Sequence, residues 1–219
     1  MGLSLAEMGA NVLNTADGRA KTALSLQYAQ AWQEARAAGN MLEIGSAPAP
    51  DHPARPEAPR LCAPKDVAKR KPGSPEGRIA LLHAVAHIEL NAVDLHWDII
   101  VRFSKTRLPT GFFDDWVRAA AEESKHFNLI CDCLENLGSF YGALSAHAGM
   151  WRAAQDTKTD LLGRLAVVPM VLEARGLDVT PNMIKIFKQA KETQAVDALE
   201  LIYSEEVTHV AYGSKWFNF

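Results

Sequence analysis

The motif Glu-Glu-x-x-His occurs twice in the chain, at residues 122–126 and again at residues 205–209. Both copies lie in stretches whose apolar residues recur at helical spacing. A Glu and a His three residues apart share one helix face, so each copy can present a carboxylate and an imidazole in the same direction. Glu123 pairs in this way with His126, and Glu206 pairs with His209. Each pair therefore offers two of the ligands that a metal ion needs.

Two single glutamates can complete such a site. Glu89 and Glu173 each interrupt the apolar face of a separate predicted helix, and Glu89 precedes Glu123 by about as many residues as Glu173 precedes Glu206. Dinuclear iron and manganese sites in helical bundles use one Glu from each of two helices and a Glu-x-x-His pair from each of two others. The sequence therefore predicts that two helix pairs converge at one site.

The predicted site needs cations. Four carboxylates gathered in an apolar core would cost far too much free energy unless positive charge compensated them. Carboxylate oxygens combined with imidazole suit iron or manganese better than copper. We therefore expect two metal ions, with iron as the first choice and manganese or a mixed Mn/Fe pair as alternatives. The predicted ligands are Glu89, Glu123, His126, Glu173, Glu206 and His209.

The first glutamate of each doublet leaves an alternative open. Glu122 and Glu205 lie four residues before a histidine, which is also a same-face spacing. The apolar stripes favour Glu123 and Glu206 as ligands, which would leave the other two toward solvent. A single Glu-x-x-His pair is most often a solvated surface pair, so the prediction depends on the repetition of the motif.

Two other side chains are candidates for the surroundings of the metals. His96 lies two turns beyond Glu89 on nearly the same face and could line an access pocket, although a hydrogen-bonded core histidine is an equal alternative. Tyr203 lies one turn before Glu206 and could support the site or take part in redox chemistry. A packed tyrosine with a satisfied hydroxyl is the simpler interpretation of Tyr203.

Three polar residues have weaker links to the site. Asp197 could accept a hydrogen bond from a ligand imidazole, although its register on the helix is poor. His83 and His87 are one turn apart but rotate away from Glu89. We expect these two histidines to form hydrogen bonds within the fold and not to bind metal.

The elements that must position these residues are helices, and the predicted fold class is all-α. Ser4 and Glu7 form a capping-box signature before a short helix that ends near residue 13, and a second helix covers about residues 16–38. Ser74 followed by Pro75 is typical of a helix start. Long helices are predicted at about 75–103, 110–137, 159–175 and 193–216, with a short helix at 181–191 and another near residues 141–151.

The chain divides into three predicted segments. Residues 1–44 form an N-terminal helical appendage. Residues 45–75 contain eight prolines, which exclude a helix or a central strand and predict an extended connector that wraps the surface. Residues 76–219 form the expected ferritin-like four-helix bundle.

Composition narrows the class of protein. The chain has 219 residues, 48% of them hydrophobic and 22% charged, which is ordinary for a globular protein. A formal net charge of -3 gives no global field that would attract nucleic acid, so a nucleic-acid partner is not the first expectation. The basic run at residues 65–78 is expected to be a solvated connector, although it could contact an anionic partner. Three cysteines, no membrane-length apolar stretch and no visible leader predict a cytoplasmic protein without a disulfide framework.

Residues 77–219 resemble the family of undefined function designated DUF455, within the ferritin-like superfamily. The matching motifs lie at residues 83–89, 122–127, 172–178 and 205–210. The resemblance implies a di-iron type of bundle and carries the ligand role to the six residues named above. It supplies no reaction. A more distant likeness to the ferritin-like hydroxylases that modify transfer RNA suggests oxidative chemistry without naming a substrate.

Several functions fit these expectations. The first is an O₂- or peroxide-activating oxidoreductase that acts on a small molecule or another substrate, with O₂ and an unidentified electron donor as partners. The second is iron handling by a ferroxidase, and the third is an activity like that of manganese catalase. The alternative without catalysis is a binding protein with a structural metal site. A homodimer is one assembly that the sequence allows.

Overall fold

The computed structural model describes residues 2–40, 42–66 and 70–219, so residue 41 and residues 67–69 of the predicted connector lie outside the described part. The described chain is mostly helical, which confirms the predicted all-α class. Its strands are two residues each and pair in parallel. The elements are α1 (Leu5–Leu13), α2 (Gly18–Ala37), β1 (Leu61–Cys62), a 3₁₀ turn (Pro64–Asp66), α3 (Pro75–Arg102), α4 (Thr110–Asn136), β2 (Ala146–His147), α5 (Met150–Asp156), α6 (Leu161–Val167), a π-helical segment (Val168–Glu173), α7 (Ala174–Ala190) and α8 (Thr193–Phe217).

The predicted helix starts near the N-terminus and at α3 are confirmed. The backbone N–H of Glu7 donates to Ser4 Oγ, and the Ser4 N–H donates to Glu7 Oε2, which completes the capping box. The backbone N–H of Gly77 donates to Ser74 Oγ at 3.1 Å, with Pro75 in the first turn. These caps satisfy donors that the first turn of a helix would leave unpaired.

The region between α4 and α8 differs from the prediction. The predicted helix at 159–175 does not stop at Gly176, because α7 runs without a break from Ala174 through Pro181 to Ala190. The apolar face of α7, which includes Phe187, packs into a core cluster with α8, and such tertiary packing outweighs the weak preferences of single glycine and proline residues. The short helix expected near 141–151 is α5, which begins only at Met150.

The π-helical segment is the second unexpected feature of this region. Its turn, which ends at Glu173, is one residue wider than an α-helical turn, and the segment lies against α8. The close approach depends on Gly213, because a Cβ atom there would lie 2.6 Å from Pro169 Cγ. Gly213 therefore lets the segment that carries Glu173 reach the helix that carries Glu206 and His209.

The N-terminal helices share a hydrophobic core with the later helices. α1 packs on α3 and α2 packs on α4. One core cluster contains Leu5 and Trp32 together with Trp97 and Trp116. The division into an appendage, a connector and a bundle stays a prediction, but the first two helices contribute directly to the interior that surrounds the site.

A buried ion pair fastens α2 to α3. The Lys21 ammonium donates to Asp94 Oδ1 and to the Ala54 carbonyl, and the two charged side chains are each only 1% exposed. Burial raises the pKa of Asp94, whereas the charge of Lys21 opposes that rise. The contact with Ala54 also ties the proline-rich connector to the helices beneath it.

Among the residues that the structure describes, no helix combines the length and apolar character needed to cross a bilayer.

A buried carboxylate–histidine cluster as candidate metal centre

The structure brings together all six predicted ligands. Glu89 comes from α3, Glu123 and His126 from α4, Glu173 from the end of the π-helical segment, and Glu206 and His209 from α8. All six side chains are at most 11% exposed. Because each one projects from the apolar face of its helix, packing the helices together places the polar groups at the centre of the interior.

One half of the cluster surrounds His126. Its Nδ1 atom lies 3.3 Å from Glu89 Oε2, 3.3 Å from Glu123 Oε2 and 3.9 Å from Glu206 Oε1. Ligand atoms of these four residues all lie within 4.8 Å of one another. Three carboxylates and one imidazole nitrogen thus face a common point.

The other half surrounds His209. Its Nδ1 atom lies 3.0 Å from Glu123 Oε1 and 3.6 Å from Glu206 Oε2. Ligand atoms of Glu173, Glu206 and His209 lie within 4.8 Å of one another. Glu123 and Glu206 therefore lie between the two histidines and contact both halves, whereas Glu89 and Glu173 belong to one half each.

Glu122 and Glu205, the first glutamates of the two doublets, hold the far sides of the histidines. Glu205 on α8 accepts a hydrogen bond from Nε2 of His126 on α4 at 2.7 Å. Glu122 on α4 accepts from Nε2 of His209 on α8 at 2.8 Å. Each of these glutamates thus binds the histidine of the other helix. The expectation that both carboxylates point to solvent is therefore wrong. An outer carboxylate that fixes the orientation of a ligand imidazole is a common feature of metal sites.

The doublet itself was the sequence signal for these outer carboxylates. A same-helix spacing of four residues suggested contacts between Glu122 and His126, but the structure pairs each outer glutamate with the histidine of the other helix. Asp197, the weaker candidate for this role, is exposed on α8. The glutamate that accepts from Nε2 of each imidazole is therefore the residue directly before a predicted ligand glutamate in the sequence.

His96 joins the cluster instead of only lining its approach. It is 1% exposed, and its Nε2 atom lies 3.2 Å from Glu173 Oε1 and 3.6 Å from Glu123 Oε1. Its ring stacks on Trp116, with 5.4 Å between ring centroids. His96, Glu123 and His209 form a third group of ligand atoms within 4.8 Å of one another. A third imidazole can therefore serve the half of the cluster that contains His209.

Tyr203 lies away from the cluster. It is 37% exposed on α8, in contrast to the buried side chains of the cluster. His83 and His87 also lie apart from the ligands and bind the loop between α4 and β2. His83 Nε2 accepts from the Gly142 N–H at 3.0 Å, and His87 contacts the Tyr141 hydroxyl at 2.9 Å.

The carboxylates and imidazoles of the cluster strongly shift the pKa values of one another. Burial and the charge of Glu123 raise the pKa of Glu206 to about 7 and raise that of Glu89 well above its usual range. Although burial alone would lower it, the surrounding glutamates raise the pKa of His126 and of His209 well above the ordinary value. The charges of the cluster are therefore interdependent, as expected where cations must compensate buried acids.

Several buried atoms of the cluster lack a hydrogen-bond partner. An unpaired polar atom in a protein interior is costly and calls for an explanation. The unpaired atoms are gathered around the same central space, which is the arrangement that bound cations would satisfy. They are Glu89 Oε2, His96 Nε2, Glu123 Oε1, both carboxylate oxygens of Glu173, Glu206 Oε2 and His209 Nδ1.

A cavity of about 80 Å³ adjoins the cluster. Glu89, Glu123, Glu173 and Glu206 contribute to one side of it, and its remaining walls are almost entirely apolar. Ile88 and Val179 line the cavity and are also exposed to solvent. The carboxylates are therefore reachable from the surface through an apolar opening.

The fold and the site define a mostly helical protein whose interior contains a cluster of glutamates and histidines that could hold metal ions. The chain belongs to the family described as "Protein of unknown function (DUF455)", whose model matches residues 14–219. An uncharacterised protein of Haemophilus influenzae (strain ATCC 51907 / DSM 11121 / KW20 / Rd) is 47% identical over 168 residues. That match covers 74% of this chain and 58% of the relative. No solved structure matches the chain.

Proposed function

We propose that this protein is a dinuclear metal carboxylate protein in which α3, α4, the helical run 161–190 and α8 form a ferritin-like four-helix bundle. The observation that carries the proposal is the set of unpaired carboxylate oxygens and imidazole nitrogens buried around one central space. Glu89 and His126 would hold one ion, Glu173 and His209 the other, and Glu123 and Glu206 would contact both. His96 is positioned to add a third imidazole beside the second ion.

The charge of the ligand set supports two divalent ions. The four carboxylates of the cluster bring a formal charge of about minus four when ionised, and two divalent cations would compensate this charge. Without cations, protons must serve instead, in agreement with the raised pKa values of Glu89, His126 and His209. Metal binding should therefore release protons from the site.

The ligand chemistry favours redox-active metals. A set dominated by carboxylate oxygens with two or three imidazoles suits iron or manganese, and we propose iron as the first choice. When bound, such a metal pair supplies the activation of O₂ or peroxide. The chain's own residues orient the ions through the outer carboxylates Glu122 and Glu205 and exclude water by burying the ligands.

The reaction class that we propose is oxidation of a bound substrate. In a hydroxylation, a substrate C–H bond and O₂, with two electrons from an external reductant and two protons, give a C–OH group and water. The cavity beside the glutamates favours this class over a structural metal site, which would be closed. Iron oxidation by a ferroxidase is the alternative, and it would need no apolar cavity.

Metal analysis tests the first part of the proposal. The purified protein should bind two equivalents of Fe²⁺ or Mn²⁺ per chain, measured by elemental analysis after removal of free metal. Glu123→Ala and His209→Ala should abolish this stoichiometry, because each removes a central ligand. Asp197→Ala, which removes an exposed carboxylate from the same helix as His209, is the matched control. Two bound ions in the Glu123→Ala and His209→Ala variants would refute the ligand assignment.

Oxygen consumption tests the second part. The anaerobically prepared ferrous protein should consume O₂ when mixed with aerated buffer, measured with an oxygen electrode. Glu123→Ala should lose this activity together with the metal. A ferrous protein with two bound ions that does not react with O₂ would favour a structural metal site instead.

A further inference from the structure

We propose that the cavity beside the cluster binds a slim, uncharged aliphatic group of the substrate, which enters between α3 and α7. This inference rests on the proposed function, because it assigns the substrate class of the same site. The cavity brings apolar walls, an exposed apolar opening and one carboxylate-lined end into a single space.

The walls determine the polarity of the ligand. Aliphatic side chains from α3, the π-helical segment and α8 form most of the lining. Thr180 is the polar exception outside the glutamates, and its hydroxyl already donates to the Gly176 carbonyl at 2.8 Å. A polar or charged group in this space would lose its hydration without gaining a partner from the walls. The wall residues are Val85, Ala92, Leu95, Leu172, Leu199 and Ile202.

The end formed by the glutamates gives the ligand its direction. When two divalent ions compensate the four carboxylates, this end of the cavity carries no excess charge that would attract an ion. The group that reaches it is therefore neutral, and it stops beside Glu89 and Glu173, which line the cavity and belong to the proposed ligand set. Any polar part of the substrate remains at the opposite end.

The opening of the cavity determines where the polar part of the ligand would lie. Ile88 on α3 and Val179 on α7 line the cavity although they are 41% and 48% exposed. These two side chains mark the boundary between the cavity and solvent. A ligand can place its aliphatic part inside while a polar part stays in water beyond Ile88 and Val179.

The volume of the cavity limits the size of the aliphatic group that it can hold. An apolar cavity of roughly 150 Å³ is large enough to bind benzene. The present cavity has about half that volume, about 80 Å³. It therefore has room for a short stretch of an aliphatic chain, which can continue out through the opening, and lacks room for a whole aromatic ring.

The methionines of the chain provide a direct test. Met150 and Met183 line the cavity, whereas Met8 is buried in α1 away from it. Full-length protein with ¹³C-methyl methionine is titrated with 1-hexanol, adipate and benzene, both metal-free and with Zn²⁺, which is diamagnetic. We expect 1-hexanol to shift the Met150 and Met183 methyl signals saturably and to leave Met8 unchanged. Adipate, which is charged at both ends and would have to bury one charge, and benzene should cause no saturable shift at the same concentrations.

A variant at the opening provides the second readout. Val179→Asp puts a charge at the boundary on a residue that is already half exposed, and we expect it to weaken 1-hexanol binding by about tenfold. Leu162→Asp is the matched control, because Leu162 is exposed and lies outside the cavity. Equal binding by both variants, or tight binding of adipate or benzene, would overturn the inference.

The titration is independent of the O₂ experiment, because Zn²⁺ does not react with O₂. Saturable 1-hexanol binding in a protein whose ferrous form is inert would count against the proposed oxidation only. Oxygen consumption by a protein whose Met150 and Met183 methyl signals do not shift with 1-hexanol would count against the substrate class only.

Discussion

The crossed support of the two histidines makes a quantitative prediction about metal affinity. Each imidazole directs Nδ1 to the cluster and donates from Nε2 to an outer carboxylate, at 2.7 Å from Glu205 to His126 and at 2.8 Å from Glu122 to His209. Loss of such an outer partner typically weakens metal binding by about 10- to 100-fold, or roughly 1.4–2.7 kcal/mol. We expect Glu122→Ala and Glu205→Ala each to fall in this range.

The glutamine variants should separate two contributions to the loss of metal affinity, the orientation of the imidazole and the charge of its outer partner. In Glu122→Gln and Glu205→Gln, the side-chain oxygen can still accept from Nε2–H, so the imidazole keeps its orientation and loses only the charged partner. Hydrogen bonds to charged groups are roughly twice as strong as neutral ones. We therefore expect the Gln variants to lose about tenfold in affinity, at the lower end of the range.

The crossing also predicts which ion each variant weakens. Glu122→Ala should weaken the ion beside His209, although Glu122 lies on α4, and Glu205→Ala should weaken the ion beside His126. Isothermal titration with Mn²⁺ in competition with a chelator should then show one weakened site in each single variant and two in the double variant. Asp197→Ala is the control. If both single variants bound two ions with the affinity of the unmodified protein, the support that we assign to the outer carboxylates would be refuted.

Two further predictions concern stability. Lys21→Met should destabilise the metal-free protein by about 3–5 kcal/mol in urea unfolding, because it leaves the buried Asp94 without a counter-charge. Lys21→Met combined with Asp94→Leu should recover most of this loss. A Lys21→Met variant as stable as the unmodified protein would contradict the buried ion pair. Burial lowers the pKa of His83 to about 4, below its ordinary 6.5, so the unfolded chain binds more protons between these values. Stability should therefore fall as the pH decreases from about 6.5 to 4. His83→Gln should reduce this fall by at most about 3 kcal/mol, and an unchanged pH dependence of urea unfolding in this variant would contradict the assignment.

The main helices and the six clustered side chains could be predicted because both depend on local spacing. A carboxylate on an apolar helix face must either be paired in the interior or prevent that face from packing, so four such positions indicate a shared buried site. The starts of α1 and α3 could be predicted for a similar reason, since capping uses side chains within the same turn. The continuity of α7 could not, because the packing of Phe187 against α8 is a contact between distant parts of the chain.

The sequence by itself determined which carboxylates and imidazoles share the apolar faces of helices, because residue type and spacing along one helix are local properties. Only the tertiary structure decided the partner of each group. It paired Glu122 with His209 and Glu205 with His126, brought His96 to 3.2 Å from Glu173, and left Tyr203 at the surface. These contacts join different helices, whose relative rotation and depth depend on the packing of the whole interior and are not written in the spacing of any one segment.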